Sequence, residues 1–152
     1  AAPGGVNNSH WLSLNGGDGF WVQPDNTDPD IVYAESQGGN ANRINIKTTK
    51  AVGIKPQQVA GEEKLRWNWN TPIVTGVAGK KNLYMAAQYL YKSTNQGKDW
   101  KRISPDLTTN DKKKQEQENS GGLSADNTSA ENHCTIFTLA ETPKRNSLIE
   151  RS

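Results

Sequence analysis

Carboxylates are the first groups in this chain to ask about for acid–base chemistry, and Asp18, Glu35, Asp106, Asp126, Glu131 and Glu141 supply them. Hydrolysis of a glycosidic bond needs two such groups facing one bond at a defined separation, and spacing along a chain does not set that separation. Arg43, Arg66, Arg102, Arg145 and Arg151 supply cations, but they form no recognisable catalytic set with the carboxylates. The run Arg66-Trp67-Asn68-Trp69-Asn70 is more informative. In an extended segment, alternation sends Trp67 and Trp69 to one face and Arg66, Asn68 and Asn70 to the other. An exposed Trp pair flanked by amides suits stacking on a sugar ring. A buried pair is packing between structural units, and packing is the favoured of the two.

Gly16-Gly17-Asp18-Gly19 exposes consecutive amides that could cradle a ligand. No strand precedes this run and no Lys-Ser/Thr follows it, so it is not a phosphate loop; a tight entry into Phe20-Trp21-Val22 is the simpler role. Glu35-Ser36-Gln37 follows a second strand-like segment, and Glu131-Asn132-His133 precedes a later one. The candidate ligand-contacting set is therefore Asp18, Trp21, Glu35, Gln37, Arg66, Trp67, Asn68, Trp69 and His133. His10 and His133 lie far apart without partners at metal-ligand spacing, so neither a metal site nor a cofactor is expected. Cys134 is the single cysteine. It allows no intrachain disulfide, and its stretch Cys134-Thr135-Ile136-Phe137 suggests a buried apolar thiol.

The elements that must position these groups follow from composition. The 152 residues suit one domain. Only 32% are hydrophobic, and five tryptophans dominate the aromatic set. A thin Trp-anchored core rich in Gly, Asn, Asp and Thr fits short strands and tight turns better than packed helices. With 18 Lys and Arg against 16 Asp and Glu, the formal charge of +2 gives no field for nucleic acid or an anionic membrane. No apolar window is long enough to span a bilayer as a helix. Lys112-Lys113-Lys114 runs into Gln115-Glu116-Gln117-Glu118, a solvated face with no apolar stripe. Ala1-Ala2-Pro3-Gly4-Gly5 reads as a mature end left by signal cleavage or as an arbitrary boundary.

Strands are expected at 19–22, 31–35, 43–47, 72–77, 83–87, 89–92, 100–103, 135–140 and 147–150, from β-branched and aromatic residues at period two between turn formers. They repeat. Strand, polar turn and second strand recur about every 50 residues, giving units near 16–70, 71–130 and 131–152. The middle unit continues through a third and a fourth strand. Four antiparallel strands per unit match the blades of a β-propeller, about two and a half of them, better than a sandwich. Between the third and fourth strands, residues 93–100 fit Ser-x-Asp-x-Gly-x-x-Trp, with Asn95 where Asp is usual. Ser93, Asn95, Gly97 and Trp100 are expected to be scaffold. Asn95 accepts turn amides, Gly97 takes a positive φ, and Trp100 covers the hairpin.

The runs Gly16-Gly17-Asp18-Gly19-Phe20-Trp21, Asp28-Pro29-Asp30-Ile31-Val32-Tyr33-Ala34-Glu35-Ser36-Gln37, Leu65-Arg66-Trp67-Asn68-Trp69-Asn70-Thr71-Pro72-Ile73, Tyr91-Lys92-Ser93-Thr94 and Ile103-Ser104-Pro105-Asp106-Leu107-Thr108 resemble sortilin-type and Asp-box (sialidase-like) repeat propellers. The resemblance covers about residues 10 to 150. It implies a secreted or cell-envelope bacterial propeller, usually much longer, that continues past the equivalent of Leu148-Ile149 into another strand and Asp-box. Sialidase-type chemistry would further require an arginine cluster and a Tyr nucleophile around a complete ring. An open arc exposes two blade edges, so self-association or another chain is the expected cover. The expected function is a binding or scaffolding module for a glycan or protein. A glycoside hydrolase whose site forms only in the completed ring is the alternative.

Overall fold

The computed structural model describes residues 4–77, 79, 81–116, 130 and 132–143. Asp126, Glu131, Arg145, Arg151 and the strand expected at 147–150 lie outside the described residues. The chain is all-β and almost free of helix, with two four-stranded antiparallel sheets. Strands β1 (Gly19–Pro24), β2 (Ile31–Ser36), β3 (Asn40–Asn45) and β4 (Lys50–Gly53) form the first, in sequence order. Strands β5 (Ile73–Thr75), β6 (Leu83–Ala86), β7 (Leu90–Ser93) and β8 (Lys101–Arg102) form the second, again in sequence order.

Turn chemistry fixes the strand ends. After β1, Asp25 Oδ1 accepts the amides of Thr27 at 2.7 Å and Asp28 at 2.9 Å, an Asx turn that reverses the chain. The Tyr33 hydroxyl closes on the other oxygen of the same carboxylate. After β3, Asn45 Oδ1 accepts the amides of Lys47 and Thr48 at 3.0 and 2.9 Å. That capture ends the strand at Asn45, two residues before its expected limit; at its other end the strand begins at Asn40, three residues before the expected start. The sequence pattern does not predict β4, because all four of its residues are exposed and show no alternation of apolar and polar. Conversely, 135–140 forms no strand; its link to the second sheet is one bond, from the Ile136 amide to the Ala87 carbonyl at 2.9 Å.

The core lies between the sheets and the 54–72 connection that joins them. Tyr33 from β2, Ile54 and Trp67 from the connection, and Ile73, Met85 and Tyr91 from the second sheet belong to one buried cluster. The first strands of the two sheets, β1 and β5, are neighbours. Near their ends, Asn26 Nδ2 donates to the Gly76 carbonyl at 2.8 Å. Residues 132–143 lie against the second sheet and the connection. There Asn132 Nδ2 donates to the Trp67 carbonyl, Asn68 Nδ2 to Thr135 Oγ1, and the Tyr84 hydroxyl to Glu141. Cys134 departs from the buried apolar expectation: it is half-buried, its φ is 56°, and its thiol sits 3.5 Å from Thr109 Oγ1.

Candidate functional site

The tight turn Gln37–Gly39 after β2 gathers most of the residues singled out from the sequence. Gly38 and Gly39 both have positive φ, 69° and 78°. Gly39 must also lack a side chain, since a Cβ there would lie 2.8 Å from the Trp67 ring. Its amide donates to Glu35 Oε1 at 3.1 Å. The Gly38 amide donates to the Trp69 carbonyl at 3.0 Å, and its carbonyl accepts Lys55 Nζ at 2.8 Å. On the other side, Gln37 Oε1 accepts the Asp18 amide at 2.9 Å. The turn thus joins the entry to β1, the end of β2 and the 54–72 connection.

Glu35 is the chemical centre of this joint. It is 1% exposed, and its Oε2 has no hydrogen-bond partner among the described residues; the same holds for the buried Trp21 Nε1. β1 bulges between Gly19 and Val22, opposite this part of β2. Burial pushes the Glu35 carboxyl up to about 7, opposed by the amides of Gly39, Thr71 and Trp21 and by the positive charge of Lys55. Lys55 is held below the ordinary lysine range by its own burial, with Glu35 acting against that. Its ammonium lies 5.2 Å from the centre of the Trp67 ring. The Trp67 ring in turn stacks on Tyr91, with centroids 6.3 Å apart and planes at 25°.

The run 66–70 is not a strand, so strict alternation does not govern it. Trp67 is buried and its ring is taken up by Tyr91, Lys55 and Gly39. Trp69 is half-buried and reaches the turn through its carbonyl. Arg66 belongs to a different cluster. Its guanidinium binds Asp106 at 2.6 Å, Glu63 at 2.9 Å and the Cys134 carbonyl at 3.1 Å. Burial would raise Asp106, but bonds from Thr108 and Arg66 hold it below the usual carboxylate range. This cluster pins 104–111 and 132–136 to the connection. His133 is exposed.

The turn at 93–100 is tied by its own side chains. The Gly97 amide donates to Ser93 Oγ at 2.9 Å, and the Asp99 amide donates to Asn95 Oδ1 at 3.0 Å. Both Gln96 and Gly97 have positive φ, 60° and 77°. Trp100 reaches beyond its own hairpin, donating Nε1 to the Ile54 carbonyl at 2.6 Å. Residues that sequence reasoning missed are Lys55, Thr71, Gln88 and Tyr91. Gln88 is buried on the second sheet and bridges the Arg66 amide and the Lys64 carbonyl. Nothing local marks any of the four, because each acts through a contact distant in sequence. Among the described residues no group of three or more metal-ligating side chains could hold an ion. No protein-family model matches the chain, and no curated protein matches its sequence.

Proposed function

We propose that the chain is a non-catalytic binding or scaffolding segment of a sortilin-like, Asp-box β-propeller of the bacterial cell envelope or secretome. It takes a glycan or protein partner, and its open edges are covered by another copy of itself or a neighbouring chain. One observation carries this reading: two consecutive four-stranded antiparallel meanders, each in strict sequence order, have their first strands side by side. Successive blades meet in that way, with inner strands adjacent and outer strands turned away. The 132–143 segment against the second sheet is consistent with the approach of a third unit. Apolar side chains at Trp11, Leu12, Phe20 and Val22 are exposed, and β4 is an edge strand exposed along its length.

A glycoside hydrolase completed by further blades is the second reading. Glu35 favours it, since a carboxyl that holds its proton near neutrality is suited to general acid work. Against it, Glu35 is 1% exposed and the groups that act on it are amides and Lys55 rather than a second carboxylate. The two readings separate in one assay, in which a glycan panel is tested for binding and for release of reducing ends. Binding without release supports the module. Release that Glu35→Gln abolishes would establish the enzyme.

A further inference from the structure

The hairpin tip at 96–98 separates two open clefts that share one residue, Lys98. The larger, of about 580 Å³, lies between the 53–62 segment and the 97–102 segment. The smaller, of about 280 Å³, lies between the tip and the face of β3 and β4 that carries Arg43, Asn45, Lys50 and Val52, the same face on which Ile31 and Tyr33 enter the core. The first is within the size range of ordinary ligand sites. Charge is distributed unevenly around them. The smaller cleft is lined by Arg43, Lys50 and Lys98 and by no carboxylate, and the larger adds Lys55 and Arg102. Two carboxylates, Glu62 and Asp99, line the larger cleft. Each already has a partner: Arg102 for Glu62 at 3.1 Å, and Asn95 Nδ2 for Asp99 at 2.7 Å. A chain whose formal charge is +2 thus places five cations along one short path.

Two of these cations are uncommitted. Among the described residues the ammonium groups of Lys50 and Lys98 enter no ion pair or hydrogen bond, and both side chains are exposed. Arg43 gives one donor to the Gln96 carbonyl and keeps the rest of its guanidinium. Beside them, Trp100 is half-buried in the wall of the larger cleft, with its ring nitrogen already satisfied by Ile54. A half-covered indole with no unmet polar atom presents a flat apolar surface.

We propose that these two clefts, on either side of Lys98, together bind an extended anionic saccharide, a uronic-acid oligomer whose carboxylates meet Lys98, Lys50 and Arg43 while one sugar ring packs on Trp100. The proposal rests on the binding-module reading and gives it a ligand class and a site. One feature favours a sugar over a nucleic acid. Glu62 and Asp99 keep acceptor capacity for hydroxyl donors, which a uronate ring offers in number, and a DNA phosphodiester backbone offers none along its length. The ligand is an oligomer because the two clefts flank Lys98, the one residue that lines both.

The test uses the purified chain with a galacturonate oligomer, its fully methyl-esterified form and an oligo-dT of similar length, read by calorimetry and by tryptophan fluorescence. The galacturonate oligomer is expected to bind and to alter the fluorescence, and the ester to bind at least about tenfold more weakly. Lys98→Ala and Lys50→Ala should each weaken binding about tenfold, the worth of one charge-assisted hydrogen bond. Neither substitution removes a contact that the fold uses. Equal binding of the ester, unchanged affinity in both variants, or equal binding of oligo-dT would overturn the proposal. Binding of a neutral glycan or a protein that neither variant disturbs would overturn the groove while leaving the module reading intact. Release of reducing ends from the bound oligomer would instead overturn the module reading.

Discussion

Replacing Glu35 with Gln should make the protein more resistant to unfolding at alkaline pH than at acid pH, measured against the native chain. The native carboxyl is pushed up to about 7 by burial, from 4.5 for a solvated glutamate. Between those values the folded chain holds a proton that the unfolded chain has lost, so stability falls as pH rises through that window. Below about pH 4.5 both states are protonated and the penalty vanishes. Above about pH 7 it is fully developed, and the difference corresponds to roughly 3 kcal/mol, an upper bound for a site that can relax. Lys55 is the charged group facing the carboxylate, and its attraction is already contained in that value. A glutamine side chain in place of Glu35 would keep an oxygen for the Gly39 amide and never ionise. Urea denaturation of both proteins at about pH 5 and about pH 8 reads the effect as a change in midpoint. Glu35→Gln should gain on native by up to about 3 kcal/mol between the two conditions. A native curve that tracks the variant across this range would refute the reasoning and mean that the carboxylate is solvated.

Gly97→Ala should destabilise the chain by about 1 to 3 kcal/mol in the same denaturation assay, because φ is 77° there and a new Cβ would lie 2.9 Å from Ile54. Arg66→Ala should cost about 1 to 3 kcal/mol and expose 132–136 to faster amide exchange, since it frees the Cys134 carbonyl and leaves Asp106 with Thr108 alone among the described residues. Arg66→Lys should fail to restore either, as an ammonium cannot hold Glu63, Asp106 and that carbonyl in the same fork.

The all-β class and seven of the eight strands were legible, because 20–22, 31–35 and 83–86 carry β-branched or aromatic residues between strong turn formers. β4 leaves no mark in the sequence, since Lys50-Ala51-Val52-Gly53 is exposed throughout and one-sided burial has no pattern to imprint. The strand expected at 135–140 failed for the opposite reason. Ile136 and Phe137 supply β propensity, but Phe137 is 64% exposed, and among the described residues only the Ile136 amide finds a neighbouring backbone carbonyl. Of the candidate site, Glu35, Gln37 and Asp18 were each marked in the sequence by their place at the ends of strand-like segments, but their meeting at one turn was not. Lys55 and Tyr91 were not marked as site residues. Their roles depend on how the 54–72 connection folds back between the sheets, and that path is set by packing of Trp67 rather than by local propensity.

Sedimentation equilibrium of the purified chain across a wide concentration range tests the proposed self-association most directly, since β4 is an edge strand exposed along its length and offers its free side to a partner. The account predicts reversible self-association that strengthens with concentration, accompanied by rising resistance to denaturant. A chain that stays monomeric throughout, with a denaturation midpoint independent of concentration, would contradict it.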